Sequence, residues 1–184
     1  MALLSLFKSD PLKDAAFAMY GVAATQARSP GFYTDMAVAD DFDGRFDLLV
    51  IHVHLLIRRL RGLSGDSKKA QQRLFDVFMR DLDQGLRLQG VGDIGIGHRV
   101  KKMTHAYYGR AVAYDAALDE GDGDALAAAI RRNLYREGPV SEPVLEAMTA
   151  YVTAQDVRLG ELGEDAVLAG DLAFPPPPEG GVHE

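Results

Sequence analysis

The chain of 184 residues contains no cysteine and no tryptophan. Without cysteine it forms no disulfide, thiolate metal site or thiol nucleophile, and it suits a reducing compartment. The N-terminal segment has no basic stretch before its apolar residues, so it is not typical of a signal peptide. The longest apolar run, residues 48–57, is about half as long as a bilayer-spanning helix, which needs ~20 residues. We therefore expect a cytoplasmic protein without a transmembrane helix.

The charge of the chain is unevenly distributed. The whole sequence carries a net charge of −7, but residues 58–118 carry +6 between a first section of −3 and a last section of −10. A basic middle region can attract anionic surfaces although the whole protein is acidic. The alternative is that solvated helix faces differ in charge by chance. The hydrophobic fraction of 47% is that of an ordinary globular protein.

Apolar residues recur at steps of three and four through most of the sequence, which predicts helices. Capping residues and proline, as in Asp10-Pro11, mark their starts, and glycine marks several ends. We predict helices over residues 11–28, 42–61, 67–88, 98–119, 124–134 and 142–158. The fold class is therefore all-α: a single-domain bundle of about six or seven helices over residues 1–173. Residues 174–184, FPPPPEGGVHE, are expected to form an extended or disordered, flexible tail.

The chain shows no motif for catalysis, a metal or a cofactor. The glycine-rich stretch from Gly90 to Gly97 lacks the strand, the spacing and the lysine of a phosphate loop, so we predict a shaped connector. His52 and His54 point to opposite sides of one helix, and no HExxH or ExxH occurs. We expect His54 to be a core histidine that bonds to a carbonyl or carboxylate.

The predicted helix from His98 combines basic residues with tyrosines: Arg99, Lys101, Lys102, Tyr107, Tyr108, Arg110 and Tyr114. Such a mixture can bind nucleic acid. The tyrosines fall mostly on the apolar side, however, so we expect core packing and no direct nucleic-acid binding. Asp115 is expected to pair with Arg131 or Arg132 of the next helix, unless it faces a partner.

Three segments in order carry a resemblance to a known family: FDGRFDLLVIHVHLLIRRLR, then LFDVFMRDLDQGLRLQGVGD with the following helix, then LAAAIRRN. Their order resembles the ubiquinol–cytochrome c chaperone family, over a family-like core of residues 42–136. The first segment places His54 and Arg58 like the family's histidine and following basic residue. KKM, YYGR and AYDAAL resemble the family's lysine pair, aromatic and tyrosine-aspartate, and Arg132 falls in the last block.

The resemblance implies a non-enzymatic assembly chaperone for the cytochrome bc1 complex (respiratory complex III) that binds apocytochrome b, and its expected partners are cytochrome b or other subunits of this complex. Mitochondrial members work with a small partner protein near the ribosome exit. This chain lacks their targeting extension and tryptophans, which fits a bacterial form and leaves those two roles open. The residues expected to bind a client or partner are His54, Arg58, Asp93, Arg99, Lys101, Lys102, Tyr108, Arg110, Tyr114, Asp115 and Arg132.

Two other hypotheses compete with the chaperone: a small-molecule enzyme or carrier for a lipid or isoprenoid, and an adaptor for a soluble partner. An open apolar groove rimmed by charge favours the chaperone, because a client with transmembrane helices needs such a surface. A closed pocket with a buried acid and base favours the enzyme. The basic middle region adds the expectation of a peripheral contact with the inner face of the plasma membrane.

Overall fold

The computed structural model describes residues 10–88, 90, 92–136 and 138–179, with residues 93 and 94 as backbone alone. This part of the chain contains helices and no strand, which confirms the all-α class. Its helices are six long ones and two short ones, which is slightly more than the six or seven that the sequence predicts. The helices are α1 (Pro11–Gln26), α2 (Gly31–Thr34), α3 (Phe42–Arg61), α4 (Ser67–Leu88), α5 (Asp93–Glu120), α6 (Gly123–Asn133), α7 (Glu142–Glu161) and α8 (Glu164–Ala169).

Helix α3 is the centre of the bundle. It contacts α1, α4, α5 and α7, while α6 packs on α5 and α7, and α8 on α1. Its side chains are apolar almost all round, and Leu48, Leu55 and Leu56 are at most 1% exposed. Burying each such side chain stabilises the fold by about 1.5–3 kcal/mol. No described helix has both the length and the apolarity that a bilayer crossing requires.

Short-range signals fix most helix starts. The Asp10 and Asp41 carboxylates accept hydrogen bonds from the first turns of α1 and α3, as their positions predict. At α6 the cap is Asp122, two residues earlier than the predicted Asp124, because the left-handed Gly121 has already ended α5. Gly44 is required for a steric reason, since a Cβ at this position would lie 2.1 Å from the Ala39 carbonyl oxygen.

The predicted connector from Gly90 to Gly97 is wrong in its second half. Helix α5 starts at Asp93, so its first turn consists largely of glycine and isoleucine. Glycine disfavours a helix by about 1 kcal/mol relative to alanine. Ile96 in this turn is only 2% exposed, and its burial offsets that preference. Helix α7 likewise continues past the predicted end at Arg158, to Glu161.

The proline-rich segment is extended, as predicted, but its first residues pack on the bundle. Residues 171–179 form no helix or strand. The Phe174 ring lies 4.9 Å from the His52 ring, and the Pro175 carbonyl accepts a hydrogen bond from Gln26. The predicted boundary at residue 173 therefore falls inside a packed segment. Residues 180–184 of the expected flexible tail lie outside the described residues.

Candidate client-binding face

One side of α5 is exposed along most of its length. Lys101, His105, Tyr108 and Val112 follow one another at steps of four, three and four residues, so they share one face. We call these four residues the α5 face. Its two large apolar side chains are well exposed, with Tyr108 at 55% and Val112 at 70%. A continuous exposed apolar patch beside charged residues is typical of an interaction surface.

A groove of about 330 Å³ lies beside the α5 face, between α3, α4 and α5. Its apolar lining is Ile57, Phe75, Tyr107, Tyr108 and Ala111, and its polar lining is Arg61, Lys68, Gln71 and Gln72. The rings of Phe75, Tyr107 and Tyr108 pack with centroids 5.2–5.6 Å apart. An apolar floor with cationic and amide side chains around it can accept the apolar side of a helix and the polar groups that flank it.

The polar boundary of the face centres on Asp115. Its Oδ2 lies 2.5 Å from Arg61, and its Oδ1 lies 3.3 Å from Arg58 and 3.2 Å from His54 Nε2. The His54 N–H is not aligned well enough with this oxygen for a straight hydrogen bond. Partial burial alone would raise the pKa of Asp115, but His54 and Arg61 outweigh it and hold the pKa well below its usual range. Asp115 is therefore a carboxylate at neutral pH.

The expectation that Asp115 pairs with Arg131 or Arg132 is wrong. Asp115 lies on the side of α5 that meets α3, so its partners come from α3. Arg131 instead reaches the start of α7, where its Nη2 lies 2.5 Å from Glu142. His54 is a core histidine beside a carboxylate, as expected, but its ring nitrogens make no aligned hydrogen bond with another described residue.

Arg58 joins α3 to both α5 and α7. Its guanidinium contacts Asp115 and Asp119 of α5 at 3.3 and 2.6 Å, and Asp156 of α7 at 2.9 Å. The Arg58 side chain is 20% exposed, which screens these pairs less than open solvent would. Arg58 therefore ties α5 and α7 to α3, and its acidic partners could not be predicted from the sequence.

A second ion cluster holds Arg110, one of the residues expected to bind a client or partner. Arg110 is only 12% exposed and lies 2.7 Å from Asp47, which is fully buried. Arg136, which follows α6, contacts the other Asp47 oxygen at 2.8 Å and Asp43 at 3.2 Å. Burial raises the pKa of Asp47 to about 6, against the lowering effect of the two arginines. Arg110 is thus a structural residue. Asp47, an aspartate within an apolar helix, is the sequence feature that could have indicated its partner.

The remaining candidate residues are dispersed. Tyr114 is 2% exposed, so its predicted burial is confirmed. Lys102 and Arg99 are exposed, but Arg99 lies two residues from Lys101 and therefore nearly opposite it on the helix. Arg132 lines a separate hollow of about 610 Å³ between α6 and α7. The side chain of Asp93 lies outside the described residues.

A hollow of about 510 Å³ between α1, α3 and α4 bears on the small-molecule hypothesis. Its lining includes three aspartates, each with a partner in the bundle. Asp81 accepts a 2.5 Å hydrogen bond from Tyr20, Asp40 pairs with Arg45, and Asp41 caps α3. Each of these aspartates in the described lining is therefore already engaged by another group, and none is left free for a catalytic step.

Replacing Asp115 by alanine is expected to lower the free energy of unfolding by about 1–3 kcal/mol. The change removes the acid next to His54, which is 1% exposed, whereas Arg58 keeps Asp119 and Asp156. Urea unfolding measures the loss. Asp119→Ala is the matched control, because Asp119 is 65% exposed and should contribute less than about 1 kcal/mol. An Asp115→Ala protein as stable as Asp119→Ala, yet defective in binding, would instead make Asp115 a partner contact.

Comparisons with known proteins match this region of the chain. The model of a family described as ubiquinol-cytochrome C chaperone matches residues 34–174. Ubiquinol-cytochrome c reductase complex assembly factor 1 is 27% identical in Mus musculus and 28% identical in Homo sapiens. Each match spans 167 residues, which is 90% of this chain and 56% and 55% of those proteins. The chain thus spans about half the length of these curated relatives.

A solved structure resembles the whole fold. The crystal structure of the Cbp3 homolog from Brucella abortus has a TM-score of 0.82 and 36% sequence identity, and the match covers 93% of this chain and 95% of that one. Protein CBP3, mitochondrial, of Saccharomyces cerevisiae is 28% identical over 152 residues, which is 79% of this chain and 44% of that protein.

Proposed function

Because the chain belongs to the ubiquinol-cytochrome C chaperone family, we propose that it assists assembly of the cytochrome bc1 complex by binding apocytochrome b, without chemical turnover. The proposal rests on the exposed α5 face and on the charge-rimmed groove beside it. The groove and face lie entirely within the residues that match the family model. The relatives' names describe them as assembly factors for ubiquinol-cytochrome c reductase, which is this complex.

The geometry suits a client that is an apolar helix. Tyr108 and Val112 lie one turn apart on α5 and contact one side of such a helix, while Arg61 and Lys68 meet polar groups beyond its apolar part. Only two large apolar side chains of the face, Tyr108 and Val112, are well exposed, so few anchors hold a client and the proposed binding is reversible. A chaperone that hands over its client needs this reversibility.

The start of α5 supports a further part of the proposal, a contact with an anionic surface. Arg99, Lys101 and Lys102 are exposed near this end of the helix. Basic residues near a membrane surface gain about 1 kcal/mol each from anionic lipids. We place this contact at the inner face of the plasma membrane, where a membrane-protein client is inserted.

Deleting the gene is expected to lower the cytochrome b content of membranes, measured by a reduced-minus-oxidised spectrum. Complementation sharpens the test. A Tyr108→Asp/Val112→Asp copy should fail to restore cytochrome b, because it places charge on the apolar face. Val157→Asp is the matched control, since Val157 is 58% exposed on α7 and away from the groove. Normal cytochrome b in the deletion strain would refute the proposed function.

Charge reversal by Lys101→Glu and Lys102→Glu is expected to weaken association with client-containing membranes by at least tenfold at low salt. The loss should be smaller at high salt, because screening weakens exposed charge pairs. Co-sedimentation across a salt series measures both values. The control is Lys13→Glu with Arg158→Glu, an equal charge change at exposed residues of α1 and α7. Equal binding by the two double variants would leave Lys101 and Lys102 as part of a solvated surface.

A further inference from the structure

The extended segment after α8 lies in a groove of the bundle as a bound peptide would. Helix α8 ends at Gly170 in the left-handed conformation, and residues 171–179 then follow without helix or strand. The Phe174 ring is the anchor, edge-on to the His52 ring at 4.9 Å and 85°. His52 itself is fully buried, and Phe32 packs edge-on to it at 5.5 Å. The anchor site is thus an aromatic pocket built by α2 and α3.

A buried amide contacts the backbone of this segment. Gln26 is only 8% exposed, and its Nε2 donates a 2.6 Å hydrogen bond to the Pro175 carbonyl and a 3.0 Å bond to the Tyr151 hydroxyl. The Tyr151 hydroxyl in turn lies 2.9 Å from His52 Nε2. The Gln26 amide is thus held in place from within the core and points at a peptide carbonyl. Such a contact recognises an extended backbone, whatever most side chains of the bound segment are.

The prolines pass close to the backbone of Gly31. A Cβ on Gly31 would lie 3.2 Å from the Pro177 Cβ, closer than an ordinary contact. Four consecutive prolines, residues 175–178, favour the polyproline II conformation, so little entropy is lost when they bind. A hollow of about 370 Å³ remains beside Leu172–Phe174, lined by small residues of α1 such as Ala18 and Gly21. The segment therefore leaves room for larger side chains before the aromatic anchor.

We propose that this groove is a recognition site for an extended partner segment in which an aromatic residue precedes prolines. In the resting protein the chain's own residues 172–178 occupy the groove and are displaced when such a partner binds. The attachment suits exchange: one ring, one backbone hydrogen bond and proline contacts hold a segment that has no regular structure of its own. This site lies on the α1, α2 and α7 side of α3 and is independent of the proposed chaperone face.

The full chain tests the proposal directly, because it has no cysteine and a single one can be labelled. A nitroxide on Glu179→Cys reports the mobility of the segment, and the same label on Arg158→Cys is the control. Adding the peptide DLAFPPPPE, the sequence of residues 171–179, should release the segment and raise the mobile fraction saturably at position 179 alone. The peptide DLAAPPPPE should have no effect at the same concentration.

A second measurement uses competition within the chain. Phe174→Ala in the full chain vacates the pocket, so it should bind DLAFPPPPE at least tenfold more tightly than the unchanged chain, because a site occupied by its own segment has a reduced apparent affinity. The label experiment keeps Phe174 and therefore stands even if this variant fails to fold. No release at millimolar peptide, or equal affinity of the two chains, would overturn the proposal. A concentration-dependent dimer that exchanges segments between copies would also overturn it, in favour of a second copy as the occupant.

Discussion

Replacing Asp47 by alanine is expected to lower the free energy of unfolding by about 3–5 kcal/mol, the range for breaking a buried ion pair. Asp47 is fully buried, and its carboxylate meets Arg110 at 2.7 Å and Arg136 at 2.8 Å. Arg136 is 47% exposed and can return to water, but Arg110 is only 12% exposed. The variant therefore leaves a cation near the core without its counter-charge, and that loss dominates the effect.

Two further variants separate this explanation from simple loss of contacts. Asp43→Ala removes the other acid near Arg136, but Asp43 is 58% exposed, so the change should be below about 1 kcal/mol. Asp47→Leu with Arg110→Leu removes both charges and should recover most of the lost stability, because apolar replacement of a buried pair is often neutral. Guanidinium unfolding measures all three. A double variant as unstable as Asp47→Ala would show that packing, not the stranded charge, is responsible.

The long helices could be predicted because their causes are local. Capping by Asp10 and Asp41 involves residues three positions away, and the apolar period of a helix is read within a few turns. The central position of α3 also follows from its sequence, since a helix that is apolar almost all round must be enclosed. The start of α5 could not be predicted in this way. Its glycines indicate a loop, and the burial of Ile96, which favours the helix, depends on packing that the local sequence does not show.

The candidate site was predictable only in part. The period of α5 correctly assigns Tyr107 and Tyr114 to the buried side. Ion-pair partners, by contrast, depend on which side of α5 meets α3, and nothing in a single sequence specifies that. The expected partner of Asp115 was therefore wrong, and the buried partner of Arg110 was not predicted. The exposure of Val112 at 70% is likewise a result of packing, since other residues of similar apolarity on α5 are buried.

Both ion clusters lie at the seams of α3, and this placement relates them to the face. Arg58 ties α5 and α7 to one end of α3, and Asp47 with Arg110 ties α5 to the other. Helix α5 is thus fixed at Arg110, on the side opposite the α5 face, and at Asp115, at the boundary of that face. In the function proposed above, a helix held rigid by these ion pairs loses little conformational entropy when a client binds.

Lowering the pH from 6.5 to 4 is expected to cost the protein about 3 kcal/mol of stability through His52 alone. His52 is fully buried, and burial lowers its pKa from 6.5 to about 4, although the hydrogen bond to the Leu48 carbonyl acts in the opposite direction. Between these two pH values the unfolded chain binds a proton at His52 and the folded chain does not. Stability is therefore complete above pH 6.5 and declines as the pH falls towards 4.

His52→Gln isolates this effect, because glutamine does not titrate and can still accept from the Tyr151 hydroxyl. Asp47 acts in the opposite sense: its folded pKa of about 6 exceeds its ordinary 3.8, so the folded protein gains stability as the pH falls through this window. The informative quantity is therefore the difference between the two proteins' unfolding free energies, measured in urea from pH 7 to 4, where the Asp47 contribution cancels. The unchanged protein should lose about 3 kcal/mol relative to His52→Gln. His105→Gln, an exposed histidine of α5, should follow the unchanged protein throughout. Parallel curves for His52→Gln and the unchanged protein would mean that His52 takes up its proton without leaving the core.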